Sequence, residues 1–233
     1  MAKVRPGSSQ AEISGSIGGL TYARNRYGSY VRSRSNPVNP NSPGQISVRA
    51  ILAAVSRDWS ALTDAEREAW IMYADNTPVR DRFGMEVTLT GAAMYNRVNC
   101  ARLSAGLDTL DAAPTTFGLP AADPSIQASL VAADAELSLT FDNTQEWAKS
   151  AEGRLLVYGG KPVNPNIGFY GGPFKQFTGV SGGTTAPTSP ATLTYPYAVT
   201  AGQRVWLQYR ILTADGRLSN PFRVGPIACG AGE

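Results

Sequence analysis

The segment "QRVWLQYRILTADGRLSNPFRVGPI", residues 203–227, decides the fold expected for the last third of the chain. Alternation of side chains over eight positions predicts a β-strand, since successive side chains of a strand point to opposite faces. The dipeptide Asp215-Gly216 then favours a turn before the last strand. The alternating sets are Val205, Leu207, Tyr209 and Ile211 against Trp206, Gln208, Arg210 and Leu212.

Further strand patterns precede this segment. Leu137, Leu139 and Phe141 alternate, and "RLLVYGG" at 154–160 is an apolar run typical of a buried strand. Short strands separated by turns over about 110 residues predict an antiparallel β-sandwich at 125–233. The last two strands, joined by "TADGRLSNP", resemble those of a fibronectin type III or immunoglobulin-like domain. That resemblance implies an adhesion, spacer or assembly module.

Residues 42–106 have a helical pattern. Ser42 followed by Pro43 is a typical helix start, and "TDAE" at Thr63–Glu66 is a capping box that opens a second helix. The short connection predicts an antiparallel helical hairpin. A turn and strand at 80–89 and a third helix near Gly91–Ala105 follow. The predicted core-facing residues of the three helices are Val48, Ile51, Leu52, Val55, Trp59, Leu62, Trp70, Tyr73, Met94, Val98 and Ala101.

The segment at 107–124 contains "LDTLDAAPTTFGLPAADP", which has no periodicity. Its alanine, proline and threonine content is typical of a linker. The expected fold is therefore α+β. It comprises an N-terminal β-hairpin or extended arm (1–41), a small helical middle with an αα-hairpin and a third helix (42–106), the linker (107–124), and a sandwich of immunoglobulin or fibronectin type III kind (125–233).

The N-terminal arm carries the strongest functional signal. Its core, "GGLTYARNRYGSYVRSRS" at 18–35, contains four arginines and three tyrosines and no acid. A turn at Asn25–Gly28 is expected between two strands, with Tyr30 and Arg32 on one face and Val31 on the other. Arginine and tyrosine are enriched where protein surfaces bind each other. The candidate assembly residues are Tyr22, Arg24, Arg26, Tyr27, Tyr30, Arg32 and Arg34.

Charge is distributed unevenly along the chain. Residues 1–50 have seven basic residues against Glu12, a net charge of +6, and the remainder has a net charge of −3. A basic arm on an acidic body favours binding either to nucleic acid or to the body of a neighbouring copy.

Catalytic patterns are missing from the sequence. It has no histidine, so a Ser-His-Asp triad cannot form, and the residue that most often binds metals in proteins is missing. Cys100 and Cys229 form no metal-ligand pattern and are expected to be free thiols. The acids at Asp134–Glu136 and Asp142–Glu146 lack the spacing of a calcium loop. We therefore expect no enzyme activity, no cofactor and no bound metal.

Three stretches carry a second resemblance: "ISGSIGGLTYARNRYGSYVRSRSNPVNPNSPGQISVRAI", "WSALTDAEREAW" and "FGMEVTLTGAAMYNRVN". Over about 100 residues they resemble uncharacterised bacteriophage and prophage proteins whose genes lie among those for virion parts. The resemblance implies a virion structural protein. It does not distinguish capsid decoration, connector, tail component or fibre attachment.

The sequence thus predicts a non-enzymatic virion subunit that assembles through the arm with copies of itself, with other virion proteins as further candidate partners. It is expected to be made in the host cytoplasm, since no signal peptide or membrane span is seen. Two alternatives stay open. One is a nucleic-acid-binding protein that contacts a packaged genome through the arm. The other is an extracellular adhesin or glycan-binding module, with Trp206 and Tyr209 as contact aromatics.

Overall fold

The computed structural model describes residues 2–3, 13–25, 28–35, 38–81 and 84–230. These ranges contain three α-helices: α1 (Pro43–Ala61), α2 (Asp64–Asn76) and α3 (Gly91–Ser104). They also contain a short 3₁₀ helix at Glu146–Lys149 and thirteen strands. The strands are β1 (Ala2–Lys3), β2 (Gly15–Ile17), β3 (Leu20–Asn25), β4 (Gly28–Ser33), β5 (Val79–Arg80), β6 (Glu86–Val87), β7 (Gln127–Val131), β8 (Glu136–Thr140), β9 (Arg154–Gly159), β10 (Lys175–Ser181), β11 (Ala191–Thr194), β12 (Arg204–Leu212) and β13 (Phe222–Gly230).

Contacts within the chain divide it into two compact units, Met1–Ile46 and Ser47–Glu233. The first contains a four-stranded antiparallel sheet in the order β1-β4-β3-β2. The second contains α2, α3, α1 from Ser47 onward, the small β5-β6 ladder and a seven-stranded sheet. The expected boundary at 107–124 therefore lies inside the second unit. The mixed architecture agrees with the predicted α+β class.

The seven-stranded sheet of the second unit has the order β10-β9-β12-β13-β7-β8-β11 and is nearly closed on itself. Neighbouring strands are antiparallel except β13 and β7, which pair in parallel at Cys229 and Gly230. Its inner face encloses the larger core, which includes Leu137, Trp147 and Leu207. Burial of these apolar side chains is the main stabilising contribution to this part of the fold.

A second core lies between the helices and the outer face of the same sheet. On β9, Leu155 and Val157 face the inner core, whereas Leu156 packs with the helices. Leu212 at the end of β12 also joins the outer core. Because β9 is covered on both faces, its sequence is a continuous apolar run and not an alternating one.

Helix α2 begins as the sequence predicts. Thr63 accepts from the N–H of Glu66, and the Glu66 carboxylate accepts from the N–H of Thr63 at 2.8 Å, which completes the capping box. Helix α2 packs chiefly against α3, so the αα-hairpin expected from α1 and α2 is wrong in its pairing. The two helices approach closely at Gly91, where an added Cβ would lie 2.7 Å from Ile71 Cγ1 and 2.9 Å from the Ile71 backbone nitrogen. Only glycine permits this close approach of α3 to α2.

The predicted core positions of the helices are mostly confirmed. Trp70, Tyr73, Met94 and Val98 are buried, and Trp59 is half-buried against Tyr95, with the ring centroids 5.4 Å apart. The predicted apolar stripe of α1 is exposed at its start. Val48 is 65% exposed and Leu52 is 49% exposed, and burial begins only at Ile51 and Val55.

Residues 107–124 form an ordered strap without helix or strand. The backbone of this strap satisfies buried polar side chains of the helices. Trp70 Nε1 donates to the carbonyl of Asp111 at 2.8 Å, and Asn99 bonds to both backbone groups of Leu110. Arg102 Nε donates to the carbonyl of Asp108 at 2.7 Å. The segment is thus part of the helical core, although its composition resembles a linker.

Candidate functional site

The N-terminal sheet is built from two consecutive hairpins. Gly18 and Gly19, with φ of 54° and 81°, form the turn between β2 and β3. Positive φ at both positions is what a two-residue hairpin turn of type I′ requires. The predicted second hairpin is also present, since Asn25 pairs with Gly28 and β3 pairs with β4 along its whole length. The glycine pair therefore divides what looked like a single strand run in the sequence.

Strand register separates the side chains into two faces. Ile17 pairs with Leu20, and Tyr22 pairs with Val31, so these four apolar or aromatic side chains share one face. On the other face Thr21 pairs with Arg32, and the hydroxyls of Ser16 and Thr21 lie 2.8 Å apart. We call the face that carries Ile17, Leu20, Tyr22 and Val31 the apolar face, with Arg24 at its end, and the opposite face the polar face.

The apolar face lacks the burial normal for such residues. Ile17 is 76% exposed and Leu20 is 42% exposed. Tyr22 and Val31 are half-buried. Among the residues of 13–35 whose burial the structure describes, none is buried. Isolated sheets of short strands gain little stability in water, because a sheet needs a covering layer to bury its apolar face.

The described members of the predicted assembly set lie on both faces of the sheet. Tyr22 and Arg24 belong to the apolar face, because they alternate along β3 with Thr21 and Ala23. Tyr30 and Arg32 belong to the polar face, as predicted. Arg34 lies just beyond β4, and its backbone N–H donates to the carbonyl of Gly19. Arg26 and Tyr27 lie outside the described residues.

Sequence reasoning missed Ile17, Leu20 and Val31 as candidates for contact. The emphasis on arginine and tyrosine obscured them, although their spacing gave a usable signal. The dipeptide Gly18-Gly19 between Ile17 and Leu20 is a hairpin pattern, and hairpin pairing puts those two side chains side by side.

The start of α1 adds a second set of exposed apolar residues. Residues 38–50 are all exposed. Ile46 is 50% exposed, and Val48 and Leu52 are exposed as given above. Scattered exposed apolar residues are normal on protein surfaces, but Val48 and Leu52 are four residues apart and so lie together on one side of the helix.

Two of the carboxylates considered in the sequence analysis, Asp142 and Glu146, have structural partners. Asp142 accepts from the N–H and the hydroxyl of Thr144 at 2.8 and 2.7 Å, and these bonds lower its pKa. Glu146 pairs with Arg217 at 2.6 Å. Among the described residues there is no cluster of three or more His, Cys, Asp or Glu side chains suited to a metal ion.

The two cysteines are both unpaired. Cys100 is half-buried and Cys229 is buried in the larger core. Burial raises the pKa of both thiols, which reduces the thiolate fraction needed for reactivity.

The aromatic residues considered for glycan contact are not available at the surface. Trp206 and Tyr209 are each 4% exposed. The Trp206 ring stacks on Tyr170 with centroids 6.1 Å apart, and the Tyr209 hydroxyl accepts from the N–H of Asp123 at 3.1 Å. Both residues therefore hold the fold together.

Comparison with known proteins does not extend these observations. No protein-family model, no curated protein and no solved structure matches the chain. Among the described helices, none is both long and apolar enough to cross a membrane.

Proposed function

We propose that this protein is a non-enzymatic structural subunit of a phage or phage-like particle, and that copies assemble through the N-terminal sheet. The observation that carries the proposal is the apolar face of that sheet, in which Ile17 and Leu20 remain exposed. The proposed cover is a second copy of the chain. Its exposed apolar residues at the start of α1, Val48 and Leu52, are the proposed contact surface.

A contact between two different surfaces of identical subunits is head-to-tail, and it generates rings or filaments. Such assemblies are what a virion subunit present in many copies would form.

We also infer that the seven-stranded sheet is a sandwich of fibronectin type III kind. The strand order supports this. The strands β10, β9, β12 and β13 form one antiparallel group, and β7, β8 and β11 form the other, with the larger core between them. As a displayed module, such a sandwich suits the surface of a particle.

Light scattering on the full-length chain over a concentration series tests the assembly proposal. Ile17→Asp with Leu20→Asp places charges on the apolar face, and Val48→Asp with Leu52→Asp does the same on α1. Each pair is expected to convert oligomers to monomers. Ser16→Asp with Thr21→Asp is the matched control on the polar face and should leave oligomers intact.

Negative-stain microscopy of the same samples distinguishes rings from tubes. A wild-type chain that stays monomeric at every concentration would overturn the proposal. If the apolar-face variant keeps its oligomers but Arg24→Gln with Arg32→Gln loses salt-dependent DNA binding, the genome-binding alternative replaces it.

A further inference from the structure

A groove of about 760 Å³ lies in the second unit between α3, β5 and the outer face of the large sheet. Four arginines from four separate elements line it. Arg80 comes from β5, Arg97 from α3, Arg210 from β12 and Arg223 from β13. Asp81 is the one acidic side chain among the described lining residues, so the groove has an excess of three positive charges.

The fold holds these arginines in place. In the ladder Gln208 pairs with Arg223, and Arg210 follows two residues along β12, so all three share one face of the sheet. Arg97 donates to the carbonyls of Leu218 and Ser219, both at 2.7 Å. These bonds to neutral acceptors position the Arg97 guanidinium without neutralising its charge.

Aromatic residues fix the position of Arg223. Its guanidinium lies 5.3 Å from the ring centre of Phe169 and 5.4 Å from that of Phe174. It also donates to the carbonyl of Tyr170 at 3.3 Å. A guanidinium held over aromatic faces keeps donors available for a further partner.

None of the four groove arginines forms an ion pair with a described residue. Elsewhere in the same unit, Arg102 and Arg217 do. Arg102 pairs with Glu152 at 2.8 Å, and Arg217 pairs with both Glu146 and Asp215. Desolvation, with a contribution from the nearby Arg210, lowers the pKa of Arg97 to about 10. The groove therefore concentrates positive charge that the described part of the chain does not balance.

We propose that this groove binds a phosphate-bearing ligand through Arg97, Arg210 and Arg223, with Arg80 at its exposed rim. Phosphate oxyanions match the planar fork of guanidinium donors. A terminal phosphate group offers three acceptor oxygens, and a nucleic-acid backbone offers two non-bridging oxygens on each of several successive phosphates, whereas one carboxylate offers two. The volume is in the range of small-molecule sites. The source of the phosphate is either a free phosphate compound or the backbone of a nucleic acid.

Two probes separate these sources. Calorimetry with sodium pyrophosphate reports binding of a free phosphate compound, and fluorescence anisotropy with a labelled single-stranded oligonucleotide reports binding of a backbone. Arg210→Gln with Arg223→Gln should weaken groove binding by at least about tenfold, because charge-assisted hydrogen bonds are lost. For the oligonucleotide, the salt dependence should also become shallower.

Matched variants control for charge alone. Arg57→Gln with Arg204→Gln removes two arginines outside the groove and should change affinity by no more than about twofold. Arg24→Gln with Arg32→Gln removes two arginines of the N-terminal sheet and should likewise change affinity by no more than about twofold. Circular dichroism melting verifies folding, and Arg80→Gln at the exposed end of β5 is a second groove variant that does not disturb a core.

The outcomes separate clearly. We call binding groove-dependent when Arg210→Gln with Arg223→Gln weakens it. If only pyrophosphate shows such binding, the ligand is a free phosphate compound. If the oligonucleotide shows it, the ligand is a nucleic acid. The proposal is overturned if the wild-type chain binds neither probe. It is also overturned if Arg57→Gln with Arg204→Gln weakens binding as much as the groove variant does. Groove-dependent binding of a polyglutamate peptide at equal or higher affinity also overturns it, in favour of an acidic protein partner. None of these results depends on the oligomeric state.

Discussion

The N-terminal sheet and the seven-stranded sheet use the same alternation of side chains with opposite results. In β8 of the large sheet, Leu137 is fully buried, whereas Ile17 in β2 of the N-terminal sheet is 76% exposed. The large sheet is nearly closed around one core, and the helices cover part of its outer face. The N-terminal sheet has short strands and no buried residue among those whose burial is described. An alternating strand thus becomes a core strand only where a second layer covers it.

Loss of an aromatic side chain should give the largest difference between the two regions. Trp70→Ala removes a fully buried ring, its contacts with Tyr73 and Tyr95, and its bond to the carbonyl of Asp111. We expect a loss of about 3–5 kcal/mol in the free energy of unfolding. Chemical denaturation in dilute solution measures it. The matched change Tyr22→Ala in the N-terminal sheet should cost no more than about 0.5 kcal/mol. A similar loss for both would remove the distinction between the regions.

Replacement of a buried arginine should have the next largest effect. The Arg102 side chain is 2% exposed and bonds to Glu152, Asp108 and Ala214. Arg102→Gln leaves buried carbonyls with fewer donors, so we expect a loss of about 2–3 kcal/mol. Arg32→Gln, on the exposed polar face, should be neutral within about 0.5 kcal/mol. Thermal melts of the two variants beside the wild-type chain make the comparison, and equal melting temperatures would contradict it.

Addition of one methyl group should also distinguish the regions. At Gly153 a Cβ would lie 1.9 Å from the carbonyl oxygen of Trp147, so Gly153→Ala forces backbone movement and should cost about 1–3 kcal/mol. At Gly44, in the first turn of α1, nothing lies within 4 Å of a Cβ. Gly44→Ala should be neutral or slightly stabilising, since alanine favours helix. Denaturant midpoints give both values, and tolerance at Gly153 would mean that the 3₁₀ helix before it shifts readily.

The smallest effect is expected at Tyr95 and depends on pH. Burial, followed by the nearby acids, raises the pKa of the Tyr95 phenol to about 12, from about 10 in the unfolded chain. The unfolded state therefore loses this proton first, and stability contributed by the neutral phenol is present below pH 10 and declines as pH rises towards 12. The Tyr95 hydroxyl has no hydrogen-bond partner among the described residues.

Tyr95→Phe should therefore leave stability at pH 7 unchanged or raise it by up to about 1 kcal/mol. It should also make the decline between pH 10 and 12 less steep. Melting temperatures measured across this range test both points. A steeper alkaline decline in the variant would show that the phenol is not the group responsible.

Several parts of the fold were predictable because the signals are local. The capping box at Thr63–Glu66, the turn at Asp215-Gly216 and the strand alternation in β8 depend on residues a few positions apart. The pairing of α2 with α3 and the ordered strap at 107–124 were missed, because they depend on Gly91 meeting Ile71 and on Trp70 reaching Asp111 across 41 residues. Composition alone made the strap look like a linker.

For the candidate sites, the sequence by itself determined that the N-terminal segment is basic, aromatic and hairpin-forming, since charge and turn chemistry are local properties. Only the tertiary structure decided that Tyr22 and Tyr30 lie on opposite faces, because register sets the face of every side chain. It alone brought together Arg80, Arg97, Arg210 and Arg223, which span more than half of the chain. Residues distant in sequence become neighbours only when strands pair and helices pack, and no local pattern contains that information.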